Sequence, residues 1–221
     1  MCGRFTLTAT KGTLQEQFSL PFPEFTPNYN VAPSQQILAI VSGGNEKKAG
    51  FLHWGLVPSW AKDKKIGYKM INARSETLDE KPAFKRLLSR RRCLIPADGF
   101  YEWKREDDGK TKQPFRITIG NGQLFTFAGL WDKWRTEEEE YFSCTIITTK
   151  PNQLMESIHD RMPVILEGDD QDIWLNKDIE DKHILKNILN PYDANNMSAY
   201  PVSTLVNNPR NNNEACIDPL S

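Results

Sequence analysis

The second residue of the chain is a cysteine, in the opening MCGRFTLTAT. Loss of Met1, which is favoured before a small residue, would leave an α-amine and a thiol on the same residue. The α-amine has a reference pKa of about 7.7–8.0, so a useful fraction is unprotonated at neutral pH. Such a pair has a particular affinity for aldehydes. The amine forms an imine, and the tethered thiol closes onto the imine carbon to give a five-membered thiazolidine, a ring closure that proximity favours. On position alone, Cys2 also reads as an incidental second residue. Three further segments carry chemistry-bearing residues. INARSET (71–77) sets Asn72, Arg74, Ser75 and Glu76 together after a basic stretch, ADGFYEW (97–103) sets Glu102 between two aromatics, and SIHDRMP (157–163) sets His159, Asp160 and Arg161 before a strand. Each has a plain structural reading as well: a packed histidine, a glutamate on a solvated face, an asparagine in a turn.

These segments fall into a wider pattern. MCGRF, NYNVAPS, WGLVPSWAKD, MINARSET, CLIPADGFYEW, FAGLW, TTKPN, IHDRMPVIL and VSTLVNNPRNNNEACI follow one another from residue 2 to about residue 217. In them the chain resembles the SRAP (SOS response-associated peptidase) family, with no departure at the chemically important positions. The resemblance implies a protein of the DNA damage response that senses abasic sites in single-stranded DNA and crosslinks to them through a thiazolidine. It implies Cys2 as nucleophile, Asn72 as the residue steadying the sugar, Glu102 as the group that helps open the deoxyribose, and His159 as the promoter of imine formation and its reversal. It assigns Arg74 and Arg161 to DNA phosphates. A weak lyase activity and a cysteine-peptidase or self-processing activity, the origin of the family's name, accompany that reading.

The residue chemistry agrees. An abasic deoxyribose rests mostly as a closed hemiacetal, and opening it moves a proton from one oxygen to another. A carboxyl beside Tyr101 and Trp103 is suited to that shuttle if burial raises its pKa. Dehydrating the carbinolamine needs an acid, which histidine supplies near neutrality. Asparagine offers a donor and an acceptor without ionising, and arginine forks match phosphate oxygens. Gly3, Arg4, Pro33, Trp60, Arg74, Ser75 and Arg161 are the expected DNA contacts, with Lys62, Lys64, Lys65 and Lys69 in a local basic groove. Pro33, Trp60 and Trp103 are candidates to stack on or wedge between bases, although core packing is the commoner fate of a tryptophan.

The elements that must hold these residues read as follows. A helix is expected over Thr10–Phe18, with Thr8 or Thr10 as N-cap, then a proline-rich loop through LPFPEFTPNYNVAPS. QQILAIVS and GFLHWGLVPSW read as strands, and WAKDKKIGYKMINARSET as a polar, loop-rich segment. EKPAFKRLLSRRR reads as a helix with Pro82 in its first turn. RCLIPADG, FYEWKRE, PFRITIG, QLFTFAGLW and YFSCTIITT are strands separated by turns. LMESIH, DDQDIWLN and the IEDKHILKNIL region read as helices, RMPVIL as a strand and the tail as loop. The expected class is α+β: a single domain over 2–217 with a four-residue tail, an antiparallel sheet or barrel-like β core, and flanking helices.

The balance of 28 basic and 29 acidic residues, net −1, argues against a bulk electrostatic grip on long duplex DNA but not against a local groove. Modest, salt-sensitive affinity for intact single strands is expected. The four cysteines form no CxxC pair, so neither a zinc knuckle nor a disulfide framework is indicated, and Cys93 and Cys144 read as buried thiols. No cofactor or metal is expected. With neither a long apolar run nor a signal-type N-terminus, the expected place is the cytoplasm, on the nucleoid through DNA, as a monomer without membrane contact. The expected partner is abasic single-stranded DNA, with single-strand/duplex junctions an open variant. Two other readings remain. A glutaminase-type N-terminal nucleophile amidohydrolase also starts with Cys after Met removal, but the chain lacks the His-Arg-Gly segment of that class. A non-catalytic single-strand binder would form no covalent product.

Overall fold

The chain starts as a strand gripped from both sides. In the computed structural model, which describes residues 2–44 and 46–220, β1 (Phe5–Leu7) leads into α1 (Lys11–Phe18), β2 (Asn28–Val31), β3 (Gln36–Ser42), β4 (Lys47–Trp54) and β5 (Asn72–Arg74). Then come α2 (Pro82–Arg90), β6 (Arg92–Ala97), β7 (Gly99–Arg105), β8 (Lys112–Ile119), β9 (Phe125–Arg135) and β10 (Glu140–Thr149). The last third holds α3 (Gln153–Glu156), β11 (Met162–Pro163), β12 (Ile165–Leu166), α4 (Asp169–Leu175), α5 (Lys182–Asn187) and β13 (Met197–Pro201). The expected α+β class with a barrel-like core is what the chain adopts.

Five strands close on themselves in the order β10, β4, β3, β6, β9 and back to β10. Closure removes the unpaired edges an open sheet would present. The β4–β10 pairing is parallel and the other four are antiparallel. A second sheet runs β13-β8-β7-β1-β2. The two sheets meet at aromatic rings: Phe5 lies 5.3 Å from Trp54 and 5.6 Å from Phe127, and Phe100 lies 6.1 Å from Phe127. In β9, Gly129 lets its neighbours close in, since a Cβ there would sit 2.8 Å from Cys93 Sγ and 2.9 Å from Ile95 Cδ1. Cys93 and Cys144 are buried free thiols, as expected.

The helices follow their sequence signals. Thr10 caps α1 by accepting from Thr13 N at 3.2 Å, and Leu14 is its buried residue. In α2, Pro82 occupies the first turn, and Phe84, Leu87 and Leu88 form the buried stripe. The strand expected through GFLHWGLVPSW ends earlier, at Trp54, because Gly55 takes φ +135, outside the strand region. Four short strands arise where no strand was expected: β1, β2 inside the proline-rich segment, β5 inside the polar segment before α2, and β13. Among the described residues no helix is long and apolar enough to cross a membrane.

One carboxylate fastens β1. Asp98, at the β6–β7 turn and 4% exposed, accepts from Thr6 Oγ1, from Thr8 N, from Thr8 Oγ1 at 2.8 Å and from Ala9 N at 3.1 Å, and Arg116 approaches it at 3.4 Å. Asp98→Ala is expected to cost about 3–5 kcal/mol, because it leaves the buried Arg116 uncompensated together with four donors. Urea unfolding measures the loss, and amide exchange at residues 6–9 should rise well before global unfolding.

Candidate functional site

The β1–β7 register brings the first residues to Glu102. Phe5 pairs with Phe100, and Tyr101 N donates to Arg4 O at 3.0 Å, so the pairing runs on to set residues 2–3 beside 102–103. Cys2 is fully buried, with Sγ 4.0 Å from Arg4 O. Burial first, and the Glu102 charge second, push its thiol up, so it stays protonated through neutral pH. The expected loss of Met1 lies outside the described residues.

Alternation along β7 separates two neighbours. Tyr101 turns to the C-terminal tail, its hydroxyl donating to Tyr29 O at 2.7 Å and Cys216 O at 3.1 Å. Glu102 turns the other way, 2% exposed, and burial pushes its carboxyl up to about 7. Facing it is His159, whose Nε2 lies 3.8 Å from Glu102 Oε2. His159 is set by α3, capped by Asn152, through His159 N to Met155 O at 2.8 Å. Burial pulls the imidazole below its ordinary value, which keeps the ring neutral at pH 7. The neutral ring accepts Arg161 N at Nδ1 (3.0 Å), which puts its proton on Nε2, toward Glu102. On protonation, Asp160 Oδ1 stands 2.9 Å from Nδ1 as counter-charge.

The end of β10 collects the other segments. Ile146 pairs with Asn72, and Thr148 pairs with Arg74 on one side and Pro163 on the other. Asn72 donates weakly to Ile146 O at 3.4 Å, and its buried Oδ1 has no hydrogen-bond partner among the described residues. A buried, unmatched acceptor is costly, and a donor brought by a ligand would satisfy it. Arg161 forms a two-pronged pair with Glu76, 2.7 and 2.9 Å, and donates to Thr148 O at 2.7 Å. That pairing holds the Glu76 carboxyl below its usual range.

The residues expected at DNA fall into three groups. Arg74 and Trp60 are exposed, Trp60 by 62%, and Gly3 and Pro33 are half-buried. Arg4, Trp103 and Arg161 are half-buried and partnered within the chain. Arg4 donates to Asn30 Oδ1 and Val206 O, both at 2.6 Å, and to Asn207 O, while Trp103 Nε1 donates to Asn207 Oδ1 at 2.7 Å. Ser75 is buried, 7% exposed. Of the lysines, Lys64 pairs with Glu139 at 2.7 Å, and Lys62, Lys65 and Lys69 are exposed. Glu76 and Thr148 were not expected as partners of Arg161; no local pattern signals a pairing across 85 residues.

The arrangement is a proton-transfer pair beside a buried thiol. A carboxyl poised near neutrality can give or take a proton at pH 7, and the neutral imidazole can accept one and give it back as imidazolium. Among the described residues no group of three or more His, Cys, Asp or Glu side chains could hold a metal ion.

Comparison with known proteins places this geometry in context. The family described as SOS response associated peptidase (SRAP) matches residues 1–209. "Abasic site processing protein YoqW" of Bacillus subtilis is 56% identical over 223 residues, covering 99% of each chain. "Abasic site processing protein HMCES" of Xenopus tropicalis is 36% identical over 88% of this chain and 66% of that protein. A crystal structure of a Bacteroides thetaiotaomicron protein, 25% identical, superposes with a TM-score of 0.89 over 100% of both chains.

The raised Glu102 pKa has a thermodynamic signature. The folded value of about 7 lies above that of an unfolded glutamate, about 4.3. Between those values the folded state binds more protons, so this group lowers stability progressively as pH rises through the window, and fully above it. Glu102→Gln is expected to be more stable than the parent by on the order of 2 kcal/mol at pH 8, with most of the gain gone at pH 5. Urea titrations at the two pH values check both size and sign.

Proposed function

Because the chain belongs to the SRAP (SOS response associated peptidase) family, we propose that it processes abasic sites in DNA, capturing the lesion's aldehyde in single-stranded DNA with Cys2. The observation that carries this reading is the Glu102–His159 pair, 3.8 Å apart, closing over the start of the chain where Cys2 lies. It acts on exposed single strands as a monomer, in the cytoplasm and on the nucleoid through DNA, with single-strand/duplex junctions as a variant of the same substrate.

The steps follow from the groups present. Glu102, near half-ionisation at pH 7, takes the proton of the C1′ hydroxyl and returns one to the ring oxygen, breaking the C1′–O bond and freeing the aldehyde. The Cys2 amine, present once the Met1 amide is cleaved, adds to C1′. The imidazolium form of His159, balanced by Asp160, protonates the carbinolamine hydroxyl, which leaves as water; the ring then takes a proton back from the nitrogen, and the imine forms. The Cys2 sulfur then bonds to C1′, the imine nitrogen receives the thiol proton, and the ring is a thiazolidine. Sulfur capture removes the electron sink that would otherwise drive β-elimination, so strand cleavage is a side reaction. Asn72 Oδ1, lacking an acceptor's usual donor, is placed to receive a sugar hydroxyl. Arg74 is the exposed phosphate contact.

A cysteine-peptidase reading has less support. It needs a thiolate beside an imidazole, whereas the Cys2 thiol is pushed up by burial and the His159 Nε2 faces a carboxylate. Removal of its own Met1 is the peptidase activity compatible with the abasic-site chemistry.

Incubation of the processed protein with an abasic single-stranded oligonucleotide should add the mass of the DNA less one water, read by intact mass and by a denaturing gel. Cys2→Ala, which keeps the amine and loses the thiol, should give strand cleavage without a stable adduct. Crosslinking by Cys2→Ser equal to the parent's would overturn the thiazolidine. Glu102→Ala and His159→Ala should each slow adduct formation by about 10²-fold or more while leaving binding to intact single strands within twofold. His159→Ala should also slow release from a preformed adduct.

A further inference from the structure

The geometry points to a second recognition element beside the lesion site: a cleft rimmed by Tyr68 that seats the base of a nucleotide flanking the abasic position. The inference rests on the abasic-site reading and adds a subsite to it. The cleft has a volume of about 400 Å³, within the range of small-ligand pockets. One wall is a stack of His53 on Tyr141, centroids 4.3 Å apart and 16° from parallel. Lys64 lies 5.1 Å over the Tyr141 ring and is held there by Glu139. Tyr68 and the exposed Lys65 stand on the rim.

Tyr68 is 71% exposed, more than any other large apolar or aromatic side chain among those described. Its exposure is imposed by a fixed backbone. The 3-10 turn Lys64–Lys69 is capped by Asp63, which accepts from Lys65 N at 2.9 Å. The turn presses directly on the bend after β4: a Cβ at Gly67 would meet Gly55 O at 2.7 Å, and one at Gly55 would meet Gly67 O at 2.8 Å. Met70 O then accepts from Leu56 N at 3.1 Å. A rigid aromatic ring held in water is a poor use of apolar surface and a good stacking platform, since little conformational freedom is lost when a base lands on it.

The position also fits. Trp54 lines the cleft, and its Nε1 donates to Ile71 O at 2.9 Å, the residue before Asn72. Trp54 thus links the wall of the cleft to the backbone next to Asn72, the group assigned to the abasic sugar, and Ser34 lines the same cleft. The walls combine aromatic faces with ammonium groups, the pairing that holds single strands by stacking and charge without reading a particular base.

The test is a cycle between side chain and base. Crosslinking rates are measured against protein concentration for the parent, Tyr68→Ala and Tyr68→Phe, on single strands with one abasic site and on strands in which the 5′ or the 3′ neighbour is a tetrahydrofuran residue, which lacks both the base and the aldehyde. Tyr68→Ala should raise the half-saturation concentration about tenfold with the plateau rate constant unchanged, and Tyr68→Phe should restore it. Removing the neighbouring base on one side should weaken the parent equally, and on that strand Tyr68→Ala should have no further effect. Unchanged half-saturation for Tyr68→Ala, or full additivity with base removal on both sides, overturns the subsite while leaving abasic-site capture intact. Absence of any adduct with the parent protein overturns the functional reading and the subsite with it. Thermal melting confirms that the variants remain folded.

Discussion

The Asp98 carboxylate gathers hydroxyls and amides from Thr6, Thr8 and Ala9 and faces Arg116 from a buried turn. Chain ends fray unless something ties them down, and a three-residue strand has little intrinsic hold. Here the strand is flanked by β2 and β7, and Phe5 is driven into the aromatic joint between the two sheets. The position of Cys2 follows from this anchorage. A reactive group at the second residue is useful only if that residue is as well placed as one in the middle of a barrel, and the buried acid at the β6–β7 turn accomplishes this from the far end of the strand.

Burial does a second kind of work at the same place. It moves the Glu102 carboxyl up to about 7 and the His159 imidazole below its ordinary value. A carboxyl whose pKa lies near the working pH is present in both forms, so it can take a proton and return one. The exposed Asp160 behind the imidazole keeps the protonated ring from being stranded.

Much of this was legible in residue order. Thr10, Pro82 and Asn152 announce helix starts through local chemistry, and Ile37–Ile40 and Ile146–Ile147 announce buried strands. Residue type singled out positions 2, 72, 102 and 159, and the fold brings 102 and 159 within 3.8 Å. The short strands were not legible. Three residues of β1 give no periodicity, and the prolines before β2 masked it as loop. Side-chain partners were also hidden, because they depend on which strand ends meet. Arg161 and Glu76 are joined by the pairing of β5 and β11 with β10, Arg4 is joined to Val206 by the wrapping of the tail, and Ser75 is buried by the same convergence. Gly55 falls inside an expected strand and Gly67 inside a loop-rich segment; their meaning lies in the contact between them.

The Arg161–Glu76 fork bears on how a polyanion would dock. An arginine that already holds a carboxylate has no loose halide to surrender, so a phosphate arriving there replaces a resident anion rather than one drawn from the buffer. The entropy of ion release, which normally makes protein–nucleic acid affinity fall steeply with added salt, is then largely absent at this guanidinium. A phosphate docking there would have to displace Glu76, so this guanidinium would contribute little to the salt dependence of binding.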